Sequence, residues 1–289
     1  MIRAIAILVG LGFTAAVVWA FGWGAAAVIS QGYMVEPTAE HEFHQHPKAV
    51  SFSTDGPFGK WDLQQLQRGY QVYKEVCSAC HSLEYVAFRD LVQLGYNEAE
   101  VKAAAAEWTV PSLDPVTGEN TTRPGVPTDY FPSPHANAVM LAAAGNPPDL
   151  SLMTKARHDG SAYVYSLLTG YADQAGYKNE DGEVLLEEFP DAKTPTGLYF
   201  NPYFATLNFG MPPPLVVDGQ VTYADGTEAT IDQMAKDVSA FLIWTAEPTL
   251  VKQRQTGWWV LGFLIFATVL AWLAKKQVWA PVTPKRRKD

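Results

Sequence analysis

The hydrophobic positions of this 289-residue chain are concentrated at its two ends, and the middle is mostly polar. Residues 257–274 contain no charged side chain. As a helix they would extend over about 27 Å, close to the thickness of a bilayer core. Three tryptophans lie near the ends of this segment, where interfacial tryptophans are common: Trp258, Trp259 and Trp272. We predict a transmembrane anchor over 251–276, followed by a basic tail over 277–289.

The N-terminal segment has one positive charge, Arg3, before an apolar run that continues to about Ile29. This pattern is typical of a secretory signal peptide, although the run exceeds the usual apolar length of about 7–15 residues. Residues 1–30 are therefore predicted to be a signal peptide or a second transmembrane helix. Because the basic excess follows the C-terminal anchor, we expect a cytoplasmic (or matrix) C-terminus, with residues 31–250 outside the cytoplasm.

The periodicity of the polar middle predicts helices. Apolar residues at Leu63, Leu66, Tyr70 and Tyr73 share one face, so residues 62–76 are predicted to be helical, with Asp62 as the N-cap. Residues 230–247 are predicted to form an amphipathic helix.

Residues 31–250 are strongly acidic, with 12 Lys and Arg against 29 Asp and Glu. Such a field repels nucleic acid and attracts basic proteins, so we predict a basic protein partner and no nucleic acid. The densest patch, which is equally compatible with a solvated loop, is Glu180, Asp181, Glu183, Glu187, Glu188 and Asp191.

The segment Cys77-Ser78-Ala79-Cys80-His81 has the spacing of a c-type haem attachment site. Two thiols at this spacing can add to the two vinyl groups of one haem, and the following histidine can bind the iron. These are the only two cysteines of the chain, so no disulfide competes for them. A redox dithiol or half of a zinc site are the alternatives. The helical run before Cys77 argues against a thioredoxin-like site, which would follow a strand.

An electron-transfer haem needs a second axial ligand, and the residues favour Met211. It follows Gly210, which would permit an unusual backbone turn, and precedes three prolines that stiffen the loop. Packing roles are expected for Met140, Met153 and Met234, whereas Met1 and Met34 lie near the N-terminal segment. The alternative axial ligands are His135 and His158. A further cluster, His41, His44 and His46, is predicted to be an exposed linker rather than a metal site.

Many ordered segments beyond the Cys-x-x-Cys-His motif are similar to one family. They are residues 67–73 (QRGYQVY), 123–125 (RPG), 129–132 (DYFP), 147–151 (PPDLS), 156–158 (ARH), 163–171 (YVYSLLTGY), 197–204 (GLYFNPYF), 210–213 (GMPP), 235–238 (AKDV) and 246–248 (AEP). From about residue 57 to 276 the chain resembles cytochrome c1, the haem subunit of the quinol:cytochrome c oxidoreductase (cytochrome bc1) complex.

The resemblance implies a mostly α, class I cytochrome c-like domain with insertions, carrying one covalently bound haem c. It implies that Cys77 and Cys80 attach the haem and that His81 and Met211 are the axial ligands. It further implies that the haem propionates are contacted by Arg157 and Tyr163. The residues that line the haem pocket would be Pro147, Pro148 and Phe204.

The function implied is transfer of one electron from the Rieske iron–sulfur protein to a cytochrome c. Cytochrome b and the Rieske protein would be partners in a dimeric complex. The expected location is the bacterial inner membrane with the haem domain on the periplasmic side, and the mitochondrial inner membrane is the alternative. Rival interpretations are another membrane-anchored cytochrome c that feeds an oxidase or reductase, and a haem enzyme or sensor.

Overall fold

The computed structural model describes residues 2–31 and 38–282. About half of these residues are α-helical. The helices are α1 (Ile2–Gln31), α2 (Ala39–Phe43), α3 (Leu63–Glu75), α4 (Glu98–Ala106), α5 (Ala138–Ala143), α6 (Met153–Ala156), α7 (Gly160–Leu168), α8 (Leu185–Glu188), α9 (Ile231–Ala246) and α10 (Leu250–Trp279). Short 3₁₀ helices cover Cys77–Ala79, Phe88–Leu94 and Pro190–Ala192.

The strands are short and pair into three antiparallel two-stranded sheets, β1 with β4, β2 with β3, and β5 with β6. They are β1 (Leu83–Ala87), β2 (Thr109–Leu113), β3 (Asn120–Pro124), β4 (Tyr130–Phe131), β5 (Tyr199–Phe200) and β6 (Asn208–Phe209). Residues 38–249 are therefore built mostly from helices and long connecting segments.

Both helices predicted in the middle of the chain are confirmed. The side chain of Asp62 accepts a hydrogen bond from the backbone N–H of Gln65 at 3.1 Å and so caps α3. Thr230 caps α9 in the same way, accepting from the backbone N–H of Gln233 at 3.1 Å. These caps satisfy backbone donors that have no partner inside the helix.

Helices α3 and α9 cross at very short range. A Cβ atom on Gly69 would lie 2.1 Å from the backbone oxygen of Asp237, so only glycine fits at this point of α3. The side chain of Asp237 is fully buried and accepts from Arg68 Nε at 2.8 Å. Gln65 and Gln233 also donate to it, at 3.2 and 2.7 Å. The two helices are therefore joined by a buried ion pair as well as by apolar packing.

An aromatic core surrounds the end of α3. The ring of Phe131 packs edge-to-face against Tyr73 and Trp108, with centroid distances of 5.9 and 5.2 Å. Phe131 lies in β4, opposite Leu83 of β1. The segment that follows His81 is thus held against the main core.

A second, smaller apolar cluster lies under β5 and β6. Its buried members are Ala39, Phe43, Leu185, Phe200 and Leu207. This cluster supports the turn from which the chain continues into Met211.

Helices α1 and α10 are long and apolar enough to cross a membrane, and their described side chains are almost all exposed. Helix α10 extends beyond the predicted anchor 251–276, to Leu250 and Trp279. Most of the predicted basic tail, residues 283–289, lies outside the described residues, as does 32–37.

The methionines other than Met211 differ in environment. Met234 is fully buried and Met153 packs against the main core, as predicted. Met140 is 51% exposed on α5, so the predicted packing role is wrong for this residue. The pattern failed there because α5 has no buried residue at all. Met1 and Met34 lie outside the described residues.

Candidate functional site

The two cysteines lie in a tight turn directly after α3. The backbone oxygen of Cys77 accepts hydrogen bonds from the N–H groups of Cys80, at 3.1 Å, and His81, at 2.9 Å. Cys80 is exposed and Cys77 half-buried, and both are free thiols. Desolvation raises the pKa of the Cys77 thiol to about 12. Reactive redox thiols have a lowered pKa, and burial shifts the pKa of Cys77 in the opposite direction.

His81 is oriented by two hydrogen bonds. Its ring Nδ1 lies 2.7 Å from the backbone oxygen of Pro148. Because a carbonyl oxygen only accepts, Nδ1 carries the proton and Nε2 is left with a free lone pair. The Tyr73 hydroxyl donates to the backbone oxygen of His81 at 3.0 Å. Burial lowers the pKa of His81, so the neutral, metal-binding form of the ring is favoured.

Asp149 holds the Pro148 carbonyl in this position. One carboxylate oxygen accepts from the Ser82 hydroxyl at 2.8 Å and from the Glu84 N–H at 2.7 Å. The other accepts from the Ser151 N–H at 2.9 Å. Asp149 directly follows Pro148, and Ser82 directly follows His81. The carboxylate of Asp149 therefore joins the two segments that carry the His81 ring and the Pro148 oxygen. Sequence reasoning gave Asp149 no role, and its only signal was its place in the PPDLS segment.

Met211 is held by a hydrogen bond from Tyr171, whose ring belongs to a stack of three aromatic side chains. The hydroxyl of Tyr171 donates to the backbone oxygen of Met211 at 2.9 Å. The Tyr171 ring stacks on Phe209 at 5.6 Å, and Phe209 stacks on Phe204 at 4.7 Å. Phe204, predicted to line the pocket, thus supports the strand that leads to Met211. Tyr171 is a second residue that sequence reasoning did not assign.

The predicted unusual turn at Gly210 is wrong. Gly210 has no positive φ, and a Cβ there would meet no atom within 4 Å. The left-handed backbone occurs instead at Leu207, with φ of 60°, where the side chain is buried in the smaller cluster. Burial of a leucine stabilises a conformation that leucine alone disfavours.

The two residues predicted to contact propionates lie near each other. Burial raises the pKa of Tyr163, and the Arg157 guanidinium acts in the opposite direction through its positive charge. Arg157 is exposed at the end of α6, and Tyr163 is half-buried on α7. Pro147 is half-buried and Pro148 exposed, directly beside His81.

The other histidines are engaged elsewhere or exposed. Nε2 of His135 lies 3.1 Å from the backbone oxygen of Cys80, so Nε2 donates there and the free lone pair of the ring is on Nδ1. His158 is 97% exposed and pairs with Asp159. In residues 2–31 and 38–282, no group of three or more His, Cys, Asp or Glu side chains is placed to hold a metal ion.

The donor set suits a haem group. It offers two thiols at the attachment spacing, an imidazole whose Nε2 is free, and a thioether on a separately supported segment. Together with an apolar helix at each end that is long enough to cross a membrane, these features are the ones expected of a membrane-associated cytochrome.

The profile of the Cytochrome C1 family matches residues 52–282. The chain belongs to this family, whose members carry haem.

Three relatives illustrate the similarity. Cytochrome c1 of Rhodospirillum rubrum is 46% identical over 241 residues, covering 80% of this chain and 86% of that protein. A protein of Candida albicans, named cytochrome b-c1 complex catalytic subunit, mitochondrial, is 40% identical over 253 residues, covering 86% and 82%. Cytochrome b/c1 of Bradyrhizobium diazoefficiens is 42% identical over 267 residues, covering 89% of this chain but only 39% of that protein.

Proposed function

We propose that this chain is the cytochrome c1 subunit of a cytochrome bc1 complex and transfers single electrons between its neighbours. The haem would be bound covalently through Cys77 and Cys80, with His81 and Met211 as axial ligands, in a class I cytochrome c-like domain. The observation that carries the proposal is the hydrogen bond from His81 Nδ1 to Pro148, which leaves Nε2 free directly after the two thiols.

A bound haem supplies reversible one-electron oxidation and reduction of its iron. The chain positions this group and sets its surroundings. The carbonyl of Pro148 keeps His81 in the ligating tautomer and increases the basicity of Nε2. A thioether ligand from Met211 would raise the reduction potential. The cation of Arg157 and the hydroxyl of Tyr163 would stabilise propionate charge, and Pro147, Pro148 and Phe204 would limit the access of water.

The partners we propose are cytochrome b and the Rieske protein within a dimeric complex, and a cytochrome c as acceptor. The names of the relatives from Candida and Bradyrhizobium support assembly with a cytochrome b subunit. The net charge of residues 31–250, with 12 basic against 29 acidic residues, supports a basic electron acceptor.

We propose that residues 31–250 lie on the periplasmic side of a bacterial inner membrane, anchored by α10, with the C-terminus in the cytoplasm. The basic residues that follow α10 support this orientation. Helix α1 serves either as a signal peptide that is removed or as a second membrane span.

Purification of the tagged full-length chain from its native membranes tests the proposal. We expect cytochrome b and the Rieske protein to co-purify and the preparation to reduce cytochrome c with quinol. A variant with both Cys77→Ala and Cys80→Ala removes all thiols of the chain, and it should lose covalently bound haem and this activity. A chain that purifies without cytochrome b, or activity that survives in the variant, would contradict the proposal.

A further inference from the structure

The loop between Phe52 and Gly59 is a rigid part of the domain. The N–H of Phe52 donates to the Asp55 carboxylate at 2.7 Å, and Lys60 N–H donates to the Ser53 oxygen at 2.9 Å. Gly56 has φ of +72°, and a Cβ on Gly59 would lie 2.2 Å from the Thr54 oxygen. Backbone bonds and two glycines therefore give this loop one closed conformation, with Pro57 and Phe58 at its exposed tip.

This loop is fastened to the beginning of α10. The guanidinium of Arg254 donates to the backbone oxygens of Thr54 and Gly56, the latter at 2.9 Å. The indole N–H of Trp258, one turn further along the helix, donates to the backbone oxygen of Pro57 at 3.3 Å. The ring of Phe58 stacks on that of Trp258, with a centroid distance of 5.5 Å and an interplanar angle of 12°.

The stack determines the depth of Phe58 relative to the membrane. The uncharged stretch of α10 begins at Gly257, so Trp258 lies at the boundary between the apolar and polar parts of the helix. Tryptophan is enriched at this level of membrane proteins because its ring is apolar and its N–H is polar. Phe58, at 5.5 Å from the same ring, must lie at nearly the same depth.

We infer that the loop tip, Pro57 and Phe58, inserts into the lipid headgroup layer beside α10, as a second membrane contact of the haem-binding domain. Phe58 is 77% exposed despite its stacking, which leaves one face of an aromatic ring for lipid. Lys60 and Lys252 are exposed near the same junction and suit anionic headgroups. The loop would fix the direction in which α10 leaves the domain. The inference rests on the proposed membrane span of α10.

Photo-crosslinking in native membranes tests this contact. The photoreactive residue p-benzoylphenylalanine is introduced at Phe58 in the full-length chain, and adducts are analysed by mass spectrometry. Two other exposed aromatic positions serve as controls: Phe266 within α10, which is 61% exposed, and Tyr85 on β1, which is 67% exposed. We expect a mass increase of one phospholipid at positions 58 and 266, at a yield clearly above that at position 85.

The outcomes separate this inference from the proposed anchor. One possible outcome is that lipid adducts form at position 266, but the yield at position 58 does not exceed the yield at position 85. This result would overturn the inference and leave the anchor intact. A crosslink from position 58 to another polypeptide alone would also overturn it. Lack of lipid adducts at both 58 and 266 would overturn the anchor and the inference together. If the Phe58 variant does not accumulate, the same photoreactive residue can be introduced at position 57. The backbone oxygen of residue 57, which accepts from Trp258, is kept in that variant, so the label probes the same depth.

Discussion

The Nδ1 atom of His81 donates to the backbone oxygen of Pro148 across 2.7 Å, although the two residues are 67 positions apart in the sequence. This bond fixes the tautomer and the plane of the imidazole. The hydroxyl of Tyr73 fixes the backbone of the same residue at 3.0 Å. Contacts within the fold therefore orient the histidine that we propose as an axial ligand.

Replacing Met211, which we propose as the second axial ligand, should change the redox properties of the haem. In Met211→Leu we expect a large fall in midpoint potential, within the roughly 0.8 V range that axial ligands control, because leucine cannot ligate iron. Carbon monoxide should then bind the reduced protein. Potentiometric titration and optical spectra check both effects. Met140→Leu, at an exposed methionine, should change neither. An unaltered potential in Met211→Leu would contradict the assignment.

Asp149 is expected to act as a positioning residue for His81. In Asp149→Asn one acceptor oxygen becomes a donor that faces an N–H or O–H group, so we expect a stability loss of about 1.5–3 kcal/mol. A weaker Pro148 contact should make His81 less basic and raise the midpoint potential. Chemical denaturation and potentiometry measure the two effects. Asp159→Asn, which affects only the exposed pair with His158, should cost less than about 0.5 kcal/mol. Equal behaviour of the two variants would exclude the positioning role.

The sequence predicted the parts of this structure that depend on local chemistry. Helices α3 and α9 follow from apolar periodicity, and the cap Asp62 marks the beginning of α3. The attachment motif is contained within five consecutive residues. Contacts such as Tyr171 to Met211, 40 positions apart, depend on tertiary packing and have no local pattern. The strands β4, β5 and β6 were missed because they have only two residues each, and β1 and β3 because burial does not alternate along them.

The error at Gly210 has a related cause. Glycine next to Met211 suggested an unusual turn, yet the positive φ occurs at Leu207. The burial of that leucine in a separate cluster stabilises the turn, and burial cannot be read from a single residue type.

The ion pair between α3 and α9 should be important for folding. Arg68→Met leaves the fully buried carboxylate of Asp237 without its cation, and we expect a loss of about 3–5 kcal/mol in unfolding free energy. Lys74→Met removes a pair with Glu107 that is largely exposed to solvent, so it should cost at most about 1 kcal/mol. Denaturation monitored by haem absorbance compares the two. Similar losses for both variants would show that burial of Asp237 has little effect.

A second ion pair, between Arg123 and Asp129, should affect how the free energy of unfolding changes with pH in the acid range. The hydrogen bonds from Arg123 lower the pKa of Asp129 below its usual value. The carboxylate therefore contributes stability above its unfolded pKa of about 3.9, and this is lost as the pH falls through the lower folded value. In Arg123→Gln, the stability deficit relative to wild type should be constant at neutral pH and shrink below about pH 4. Denaturation across this range measures it, and a deficit independent of pH would contradict the role of Asp129.

The most direct test of the central claim is an optical spectrum of the purified full-length protein, oxidised and reduced, after denaturing extraction and with carbon monoxide. We expect haem that stays with the chain through extraction and a reduced low-spin spectrum that carbon monoxide does not change. Haem that is extracted would contradict attachment through Cys77 and Cys80. A spectrum that shifts with carbon monoxide would contradict Met211 as a firm axial ligand.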